Sequence, residues 1–455
     1  MSDTIAAIAT GGVVAAIGIV RVSGSDTLEI IDRVFQPASG RKMSSYPNRQ
    51  LVYGSMIDAD GAVLDLCLCT ISRGPGSYTG EDTAELQCHG SPTVLRQGLE
   101  ALFAAGARQA RAGEFSKRAF LNGRMDLTQA EAVIDIIHSE TVEAAKNAVG
   151  QLSGAILRKT DRIYDRLVDI CSHYHAVLDY PDEDIEDFQL QDYESTLDEA
   201  IAELQRLRSS FDRGRIMTEG VRAAIVGRPN AGKSSLLNAL LGYDRAIVTD
   251  IAGTTRDTIE ERVKLGGVLV RLTDTAGIRE TADSVEKIGV DRAMQAAQGA
   301  DLVLTVLDGS SPLTQEDRDA IAAAKHCEKR IAVINKSDKE QVLDPESLQA
   351  DFSAVCVISA KENTGLEQLE QTVAALFPNP DAPVGEILTN ARQADAVGRA
   401  LDALYAAKEA MLLGITPDAV LTEAEEAMAA LGELTGKTIR EDVTNRIFSR
   451  FCVGK

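Results

Sequence analysis

The sequence predicts a multidomain protein: an α+β N-terminal domain, an α-helical bundle domain, and an α/β domain inserted into the helical one. Three observations carry this. The chain's 455 residues exceed what one hydrophobic core holds, so roughly two to four domains are expected. Strand and helix signals alternate from residue 216 to about 378, the pattern of a mainly parallel sheet covered by helices. Helical periodicity flanks that stretch, at 128–212 before it and at 390–451 after it. One bundle built from both flanks is the economical arrangement, because insertion is tolerated where a domain's ends meet at the surface. The expected boundaries are 1–118 for the N-terminal domain, 119–215 and 381–455 for the two parts of the helical domain, and 216–380 for the α/β domain.

In the N-terminal domain, residues 13–22 are apolar and β-rich and end in Arg21-Val22-Ser23-Gly24. A helical run follows at 26–35. Segments 50–57 and 63–71 read as paired strands joined by Asp58-Ala59-Asp60-Gly61. The loop Gly74-Pro75-Gly76-Ser77-Tyr78-Thr79-Gly80-Glu81-Asp82 precedes a strand at 84–90. A long glycine-rich loop held between regular elements is more often a ligand site than a spacer. Pro92 stands where a first helical turn tolerates it, and 94–105 is amphipathic.

The helical region carries three apolar stripes: Ala130, Val133, Ile134 and Ile137; Ile156, Ile163, Leu167 and Ile170; Leu197, Ile201, Leu204 and Leu207. The acidic run at 179–187 interrupts the helices and reads as a solvated turn. In the α/β region, apolar runs at 268–272, 302–307, 331–334 and 355–358 fit central strands. Pro378, Pro380 and Pro383 mark a linker, and helices at 390–413, 417–434 and 439–451 close the chain.

Composition narrows the function classes. The net charge is −22, whereas a free-standing nucleic-acid binder presents a basic face. Any RNA contact must therefore use a local patch or a basic partner. Aromatic residues make up 4% of the chain and Trp is absent, so no base-stacking platform is evident. No apolar run reaches the roughly 18 residues of a membrane span, and no secretory leader is seen. Seven cysteines without a C-x-x-C pair fit a reducing, cytoplasmic setting. Five histidines show no metal spacing; His173 and His175 read as surface or packing residues.

Chemistry concentrates at Gly227-Arg228-Pro229-Asn230-Ala231-Gly232-Lys233-Ser234, a G-x-x-x-x-G-K-[ST] phosphate loop. Its glycines let backbone N–H groups face phosphate oxygens. Lys233 can reach the β- and γ-phosphates, and the Ser234 hydroxyl suits Mg²⁺. An apolar strand precedes the loop, and a helix beginning near Ser235 points its N-terminus at the anion. Four companions follow in order. Thr249-Asp250-Ile251-Ala252-Gly253-Thr254-Thr255 offers Thr255 as a second Mg²⁺ ligand. Asp274-Thr275-Ala276-Gly277 places Asp274 for Mg²⁺ and the Gly277 N–H for the γ-phosphate. Asn335-Lys336-Ser337-Asp338 brings a carboxylate that can accept from guanine N1–H and its 2-amino group. Ser359-Ala360-Lys361 offers backbone donors to guanine O6. Together they specify a GTP-binding switch. Ile278 stands where Ras-like proteins carry a water-orienting Gln, so another group must organise the water. Arg256 and Arg279 are candidate arginine fingers or solvated switch residues. Glu286 is either a helix-start carboxylate or a water-orienting one.

These motifs, with Pro75 to Asp82, Gly113-Glu114-Phe115-Ser116-Lys117-Arg118-Ala119-Phe120-Leu121-Asn122, Leu178 to Glu183 and the terminal Phe451-Cys452-Val453-Gly454-Lys455, resemble the tRNA modification GTPase family MnmE (TrmE) end to end. The resemblance implies a homodimer joined through a folate-binding N-terminal domain. It implies a heterotetramer-type complex with the FAD protein MnmG (GidA), and no membrane association. It implies addition of an aminomethyl- or carboxymethylaminomethyl-type group to C5 of the wobble uridine of certain tRNAs. A reduced folate, 5-formyl- or 5,10-methylene-tetrahydrofolate, supplies the one-carbon unit. Matching positions put folate contacts at Arg21, Glu81, Arg124 and Lys455, and Glu81 suits the donor edge of a pterin. They put K⁺ ligands at Asn230, Thr249, Ile251 and Thr254, so that K⁺-dependent G-domain pairing activates hydrolysis without an arginine finger. They make Glu286 the water-orienting residue. The loop 9–16 departs from the family pattern, lacking its Pro and basic residue. Arg124 replaces the Lys of some members. Cys452 is open to two readings, a small residue packing a helix end or a thiol acting near the folate. An RNA- or ribosome-assembly GTPase and a folate enzyme acting on another substrate are the competing readings.

Overall fold

The computed structural model describes all residues except 1–2, 12, 180–189, 244–260, 274–293, 295, 379–382, 439–440, 450 and 455. The chain forms two compact units. One comprises residues 1–137, 148–205 and 395–455; the other comprises 138–147 and 206–394.

The first unit opens on a seven-stranded sheet of β1 (Ile5–Ile8), β2 (Ile17–Ser23), β3 (Phe35–Pro37), β4 (Val52–Ile57), β5 (Val63–Ser72), β6 (Thr83–His89) and β7 (Arg108–Gln109). Its order is β3-β4-β5-β6-β2-β1-β7. Adjacent strands run antiparallel except β1 and β7. The expected strand at 13–22 starts later, at Ile17, and Val13 and Val14 are exposed. β1 lies ahead of it. Helices α1 (Thr27–Val34) and α2 (Pro92–Ala104) cover one face. Strand β5 shows why one face is chosen. Cys67, Cys69 and Ile71 alternate inward, while Leu66 and Leu68 point out. Tyr53, paired with Leu68, is exposed beside them, leaving an apolar outer face.

A short helix α3 (Glu114–Leu121) leads into α4 (Leu127–His138), α5 (Val142–Leu152), α6 (Ala155–Asp179), α7 (Leu190–Ser209) and α8 (Phe211–Glu219). The stripes of α6 and α7 are buried at all eight expected positions, each side chain contributing about 1.5–3 kcal/mol. The α4 stripe is buried at Ala130 but ends exposed at Ile137. His175 lies at the surface, 3.2 Å from Glu425. The acidic run lies outside the described residues, apart from Asp179 at the end of α6.

The second unit is built on β8 (Val221–Val226), β9 (Glu261–Leu265), β10 (Val268–Thr273), β11 (Leu302–Asp308), β12 (Arg330–Asn335) and β13 (Ala354–Val357), in the order β13-β12-β11-β8-β10-β9. All neighbours are parallel except β9 and β10. β9 goes beyond the expected central strands. Its Val263 and Leu265 face the core while Arg262 and Lys264 face outward, which suits an edge. Helices α9 (Lys233–Tyr243), α10 (Gln315–Ala324) and α11 (Leu366–Leu376) pack on the sheet. The chain returns to the first unit through α12 (Ala391–Leu412), α13 (Pro417–Thr435) and α14 (Glu441–Phe448). Among the described residues, no helix is long and apolar enough to cross a membrane.

Candidate functional site

The nucleotide motifs meet at the C-terminal ends of β8, β12 and β13, where open α/β sheets place their ligands. β8 is buried except at Arg222 and delivers the chain into the loop. Gly227 takes φ +147°, and a Cβ there would stand 2.4 Å from the Val306 carbonyl oxygen. Gly232 takes φ +104°, and its Cβ would stand 2.0 Å from Asn335 Nδ2. Both positions therefore require glycine. Asn230 holds φ +59°, a conformation Asn tolerates. α9 begins at Lys233, so its free N–H groups open onto the loop.

Lys233 donates to the carbonyls of Gly227 (2.7 Å) and Arg228 (2.9 Å). Burial pushes its pKa down, partly offset by Glu316. Among the described residues no carboxylate lies within ion-pair distance of it. A half-buried ammonium held only by carbonyls fits a phosphate.

Asn335 ties three motifs together. It is 3% exposed; its Nδ2 donates to the Ala231 carbonyl (3.1 Å) and its Oδ1 accepts from Ala360 N–H (3.0 Å). Lys336, at φ +69°, donates to the Asn230 carbonyl at 2.9 Å. Ser337 N–H donates to the Ile358 carbonyl. Asp338 is exposed and accepts from Ser359 Oγ at 2.7 Å, which holds its carboxyl below the usual range. It is thus an ionised acceptor open to a donor pair. Lys361 is exposed and pairs with Glu362.

The structure therefore brings Asn230, Ala231, Gly232, Lys233, Ser234 and Ser235 together with Asn335, Lys336, Ser337, Asp338, Ser359, Ala360 and Lys361. Thr249, Asp250, Ile251, Ala252, Gly253, Thr254, Thr255, Arg256, Asp274, Thr275, Ala276, Gly277, Ile278, Arg279 and Glu286 lie outside the described residues. Two residues beyond the motif reading join the cradle. Arg228 turns aside to Ser311, Asp308 and Asp317, and Asp308 also takes Lys336. An acidic residue at the C-terminal end of a parallel strand was the available signal for Asp308.

A second cluster surrounds the loop 74–82. Glu81 Oε2 accepts from Ser23 Oγ and from Arg118 Nη1, both at 2.9 Å. Ser23 Oγ lies 2.8 Å from Thr79 Oγ1. Arg118 is 8% exposed and also donates to Asp3 and Glu114. Arg21 pairs with Glu85 on the adjacent strand at 2.8 Å. Its guanidinium lies 5.6 Å from the Tyr78 ring centre and 5.7 Å from that of Phe115. Arg124 Nε donates to the Ser77 carbonyl (3.1 Å), and Asn122 donates to the Thr79 carbonyl (2.7 Å). Arg21, Glu81 and Arg124 thus border one loop. Arg118 was missed as a site residue, although it stands inside a conspicuous motif.

The chain terminus docks beside this cluster. Val453 pairs with Ala112, and Gly113 N–H donates to the Cys452 carbonyl. Phe451 and Phe448 pack with centroids 5.0 Å apart. Cys452 itself is exposed. The packing reading of its side chain is thereby corrected: the neighbouring Phe451 fills the core instead. Lys455 lies outside the described residues.

Residues 4–124 match the family described as "GTP-binding protein TrmE N-terminus", and residues 127–452 match "MnmE helical domain". A protein named tRNA modification GTPase MnmE from Roseiflexus sp. is 46% identical, covering 100% of this chain and 99% of that one. Its namesake in Symbiobacterium thermophilum is 44% identical with the same coverage. That of Clostridioides difficile is 39% identical, with both chains covered completely.

Proposed function

Because the chain belongs to the MnmE family of tRNA modification GTPases, we propose that it hydrolyses GTP to drive modification of the wobble uridine of certain tRNAs. The observation that carries the reading is the joining of phosphate and base motifs by Asn335, in a chain matched end to end by proteins of that name. Asp338 accepts from guanine N1–H and the 2-amino group, which adenine lacks. The Ser359-Ala360-Lys361 backbone reads O6, through Lys361, because the Ser359 and Ala360 N–H groups already donate to Thr364 and Asn335. Lys233 and the N-terminus of α9 take the phosphates. Ser234 and Thr255 would hold Mg²⁺, which would supply positive charge to the phosphates. Asn230, Thr249, Ile251 and Thr254 hold K⁺ when two G domains pair, and Glu286 orients the attacking water. Arg228 is engaged by Asp308, Asp317 and Ser311, which is the opposite of an arginine finger poised over phosphate.

The N-terminal cluster binds a reduced folate, 5-formyl- or 5,10-methylene-tetrahydrofolate. Glu81 takes the donor edge of the pterin; Arg21, Arg124 and Lys455 take its carbonyls or carboxylated tail. The aromatic rings of Tyr78 and Phe115 beside Arg21 support a flat ligand there. The exposed apolar face at Tyr53, Leu66 and Leu68 supports pairing of two copies through this domain. The net charge of −22 supports a second protein, the FAD protein MnmG, as the carrier of much of the tRNA contact. The setting is cytoplasmic.

The test is the nucleoside composition of total tRNA from a strain lacking the gene. Loss of the C5-substituted wobble uridine, restored by the intact gene and not by a Lys233→Ala gene, is expected. Unchanged uridines with defective ribosomal subunits would favour an assembly GTPase instead.

A further inference from the structure

The phosphate loop and the base-reading loop are joined by a charge bridge that no motif contains. Asp308 ends β11, and its side chain is 11% exposed. Its Oδ2 lies 2.7 Å from Lys336 Nζ and 3.5 Å from Arg228 Nη2. Its Oδ1 accepts from Ser310 N–H (3.1 Å) and Ser310 Oγ (2.7 Å). One carboxylate thus holds one cation from each loop. Lys336 spends a second donor on the Asn230 carbonyl of the phosphate loop. Arg228 Nη2 donates to Ser311 Oγ at 2.6 Å. Its Nε stands at ion-pair distance, 3.2 Å, from Asp317 Oδ2, although the N–H is not aligned for a hydrogen bond. Asp317 is buried and closes the capping box of α10 with Thr314. The next residue, Gly309, donates its N–H to the Asn335 carbonyl. A Cβ at Gly309 would stand 2.2 Å from Gln341 Oε1 and 3.1 Å from the Asn335 carbonyl oxygen.

We propose that Asp308 is a positioning residue that couples guanine recognition to the shape of the phosphate loop, acting through Lys336 on one side and Arg228 on the other. It touches no part of the nucleotide. Lys336 precedes Asp338 by two residues and is held at a left-handed φ, a conformation unfavourable for a lysine without outside support. The Asp308 carboxylate supplies that support. Burial would raise its pKa, but Lys336 and Ser310 hold it down at about 2, so the bridge stays charged at any pH in which the protein functions. When it is intact, a base that satisfies Asp338 meets a phosphate loop already in register. When it is cut, the two halves of the ligand are read more independently. The residue therefore sets selectivity as well as affinity.

The inference rests on the guanine-nucleotide reading, and the experiment separates the two. GDP and IDP binding are measured by calorimetry on the full chain, wild type and Asp308→Asn. IDP differs from GDP in lacking the 2-amino group that Asp338 accepts. A wild-type protein without preference for GDP over IDP would sink the guanine reading itself. Given that preference, Asp308→Asn is expected to weaken GDP about tenfold, the scale of losing one hydrogen bond between charged groups. IDP should weaken by clearly less, so the GDP/IDP ratio shrinks. Equal weakening of both nucleotides means a merely structural role and overturns the proposal, as does unchanged GDP affinity. Ser310→Ala, which removes the hydroxyl donor to the same carboxylate and leaves the backbone N–H in place, is the gentler variant should Asp308→Asn fold poorly. It should move the ratio the same way by a smaller factor, and a ratio unmoved by both variants also overturns the proposal.

Discussion

At the nucleotide cradle the candidate ligand contacts are mostly main chain, aimed by glycines and by one buried amide, Asn335. At the N-terminal cluster they are side chains, aimed by other side chains: Arg118 holds Glu81, and Glu85 holds Arg21. A main-chain site needs particular residues at fixed spacing within short loops, because the φ angles and helix start must coincide. A side-chain site needs only that charges arrive together in space, from β2, the loop 74–82 and α3. The first kind is redundant, since several N–H groups share one phosphate. The second is concentrated, since one ion pair aims one carboxylate.

The largest expected effect tests the exception within the cradle, its one exposed side-chain reader. Asp338→Asn should lower GTP affinity by roughly 10²-fold or more, the scale at which a site built to hydrogen-bond a group rejects its loss. Xanthosine triphosphate, with an acceptor where guanine has its amino group, should gain. Unchanged GTP binding would move the guanine pocket elsewhere and erase the contrast.

The next effect tests concentration at the other site. Arg118→Met keeps the aliphatic volume and removes the cation from Glu81, Glu114 and Asp3. Asp3 and Glu114 keep Arg108, so the loss falls on Glu81, and leaving a buried carboxylate without its cation costs up to about 3–5 kcal/mol. Reduced-folate binding should fall at least tenfold while GDP affinity stays within twofold. Folate binding as tight as wild type would mean that Glu81 needs no aiming, and the distinction between the sites would weaken.

The same contrast decides what was legible in the sequence. Gly227, Gly232, Lys233, Asn335 and Asp338 were readable because spacing along one strand-to-loop junction is their geometry. The parallel pairing of β8, β11 and β12 was expected from apolar runs, which are buried on both faces. Arg118 and Asp308 were missed despite local signals, since the partners that make them site residues lie 37 and 28 positions away in sequence. Arg21, Glu81 and Arg124 were named by resemblance, not by any local rule. Strand β9 escaped for a different reason: an edge strand with charged residues on one face lacks the apolar run that marks central strands. The packing alternative for Cys452 falls away because Phe451, one residue earlier, meets the demand for a buried apolar group.

Acid tests the side-chain pairs of the N-terminal cluster directly. In the N-terminal cluster, burial would raise Glu114, but Arg108, the Arg111 N–H and Arg118 bring it down to about 2. Arg108 likewise holds Asp3 at about 2, with Arg118 adding to it. Carboxylates with depressed pKa values contribute stability that is present above their ordinary pKa and lost as pH falls through the folded one. The window therefore runs from about 4.5 down to about 2. Glu114→Gln should lower the melting point by several degrees at pH 7, with a gap that closes as pH approaches 2. A gap constant across that range would show that the ion pairs around Arg118 contribute nothing net.

The smallest effect concerns the tail, where the N-terminal cluster borrows a main-chain device. Gly454 sits at φ +97°, with its Cα so placed that a Cβ would stand 2.4 Å from the Ile8 carbonyl oxygen and 3.1 Å from Ala9 Cα. Both obstacles are backbone, so neither can rotate away. Gly454→Ala therefore cannot keep this seat: the φ strain alone costs about 1 kcal/mol, and the contact adds to it. The tail has other anchors, since Val453 pairs with Ala112 and Phe451 is buried against Phe448. The displacement should stop at the last two residues, and overall stability should fall by no more than about 1 kcal/mol. Lys455, the proposed folate contact, follows Gly454 in the chain and would be displaced with it. Reduced-folate affinity and uridine modification should then drop several-fold, while GTP hydrolysis by the full chain stays unchanged. If modification survives intact, Lys455 is not a folate contact, and the side-chain site is complete without the terminus. If GTP hydrolysis falls along with modification, the terminus serves the G domain as well, and the separation between a main-chain site and a side-chain site ends at residue 454.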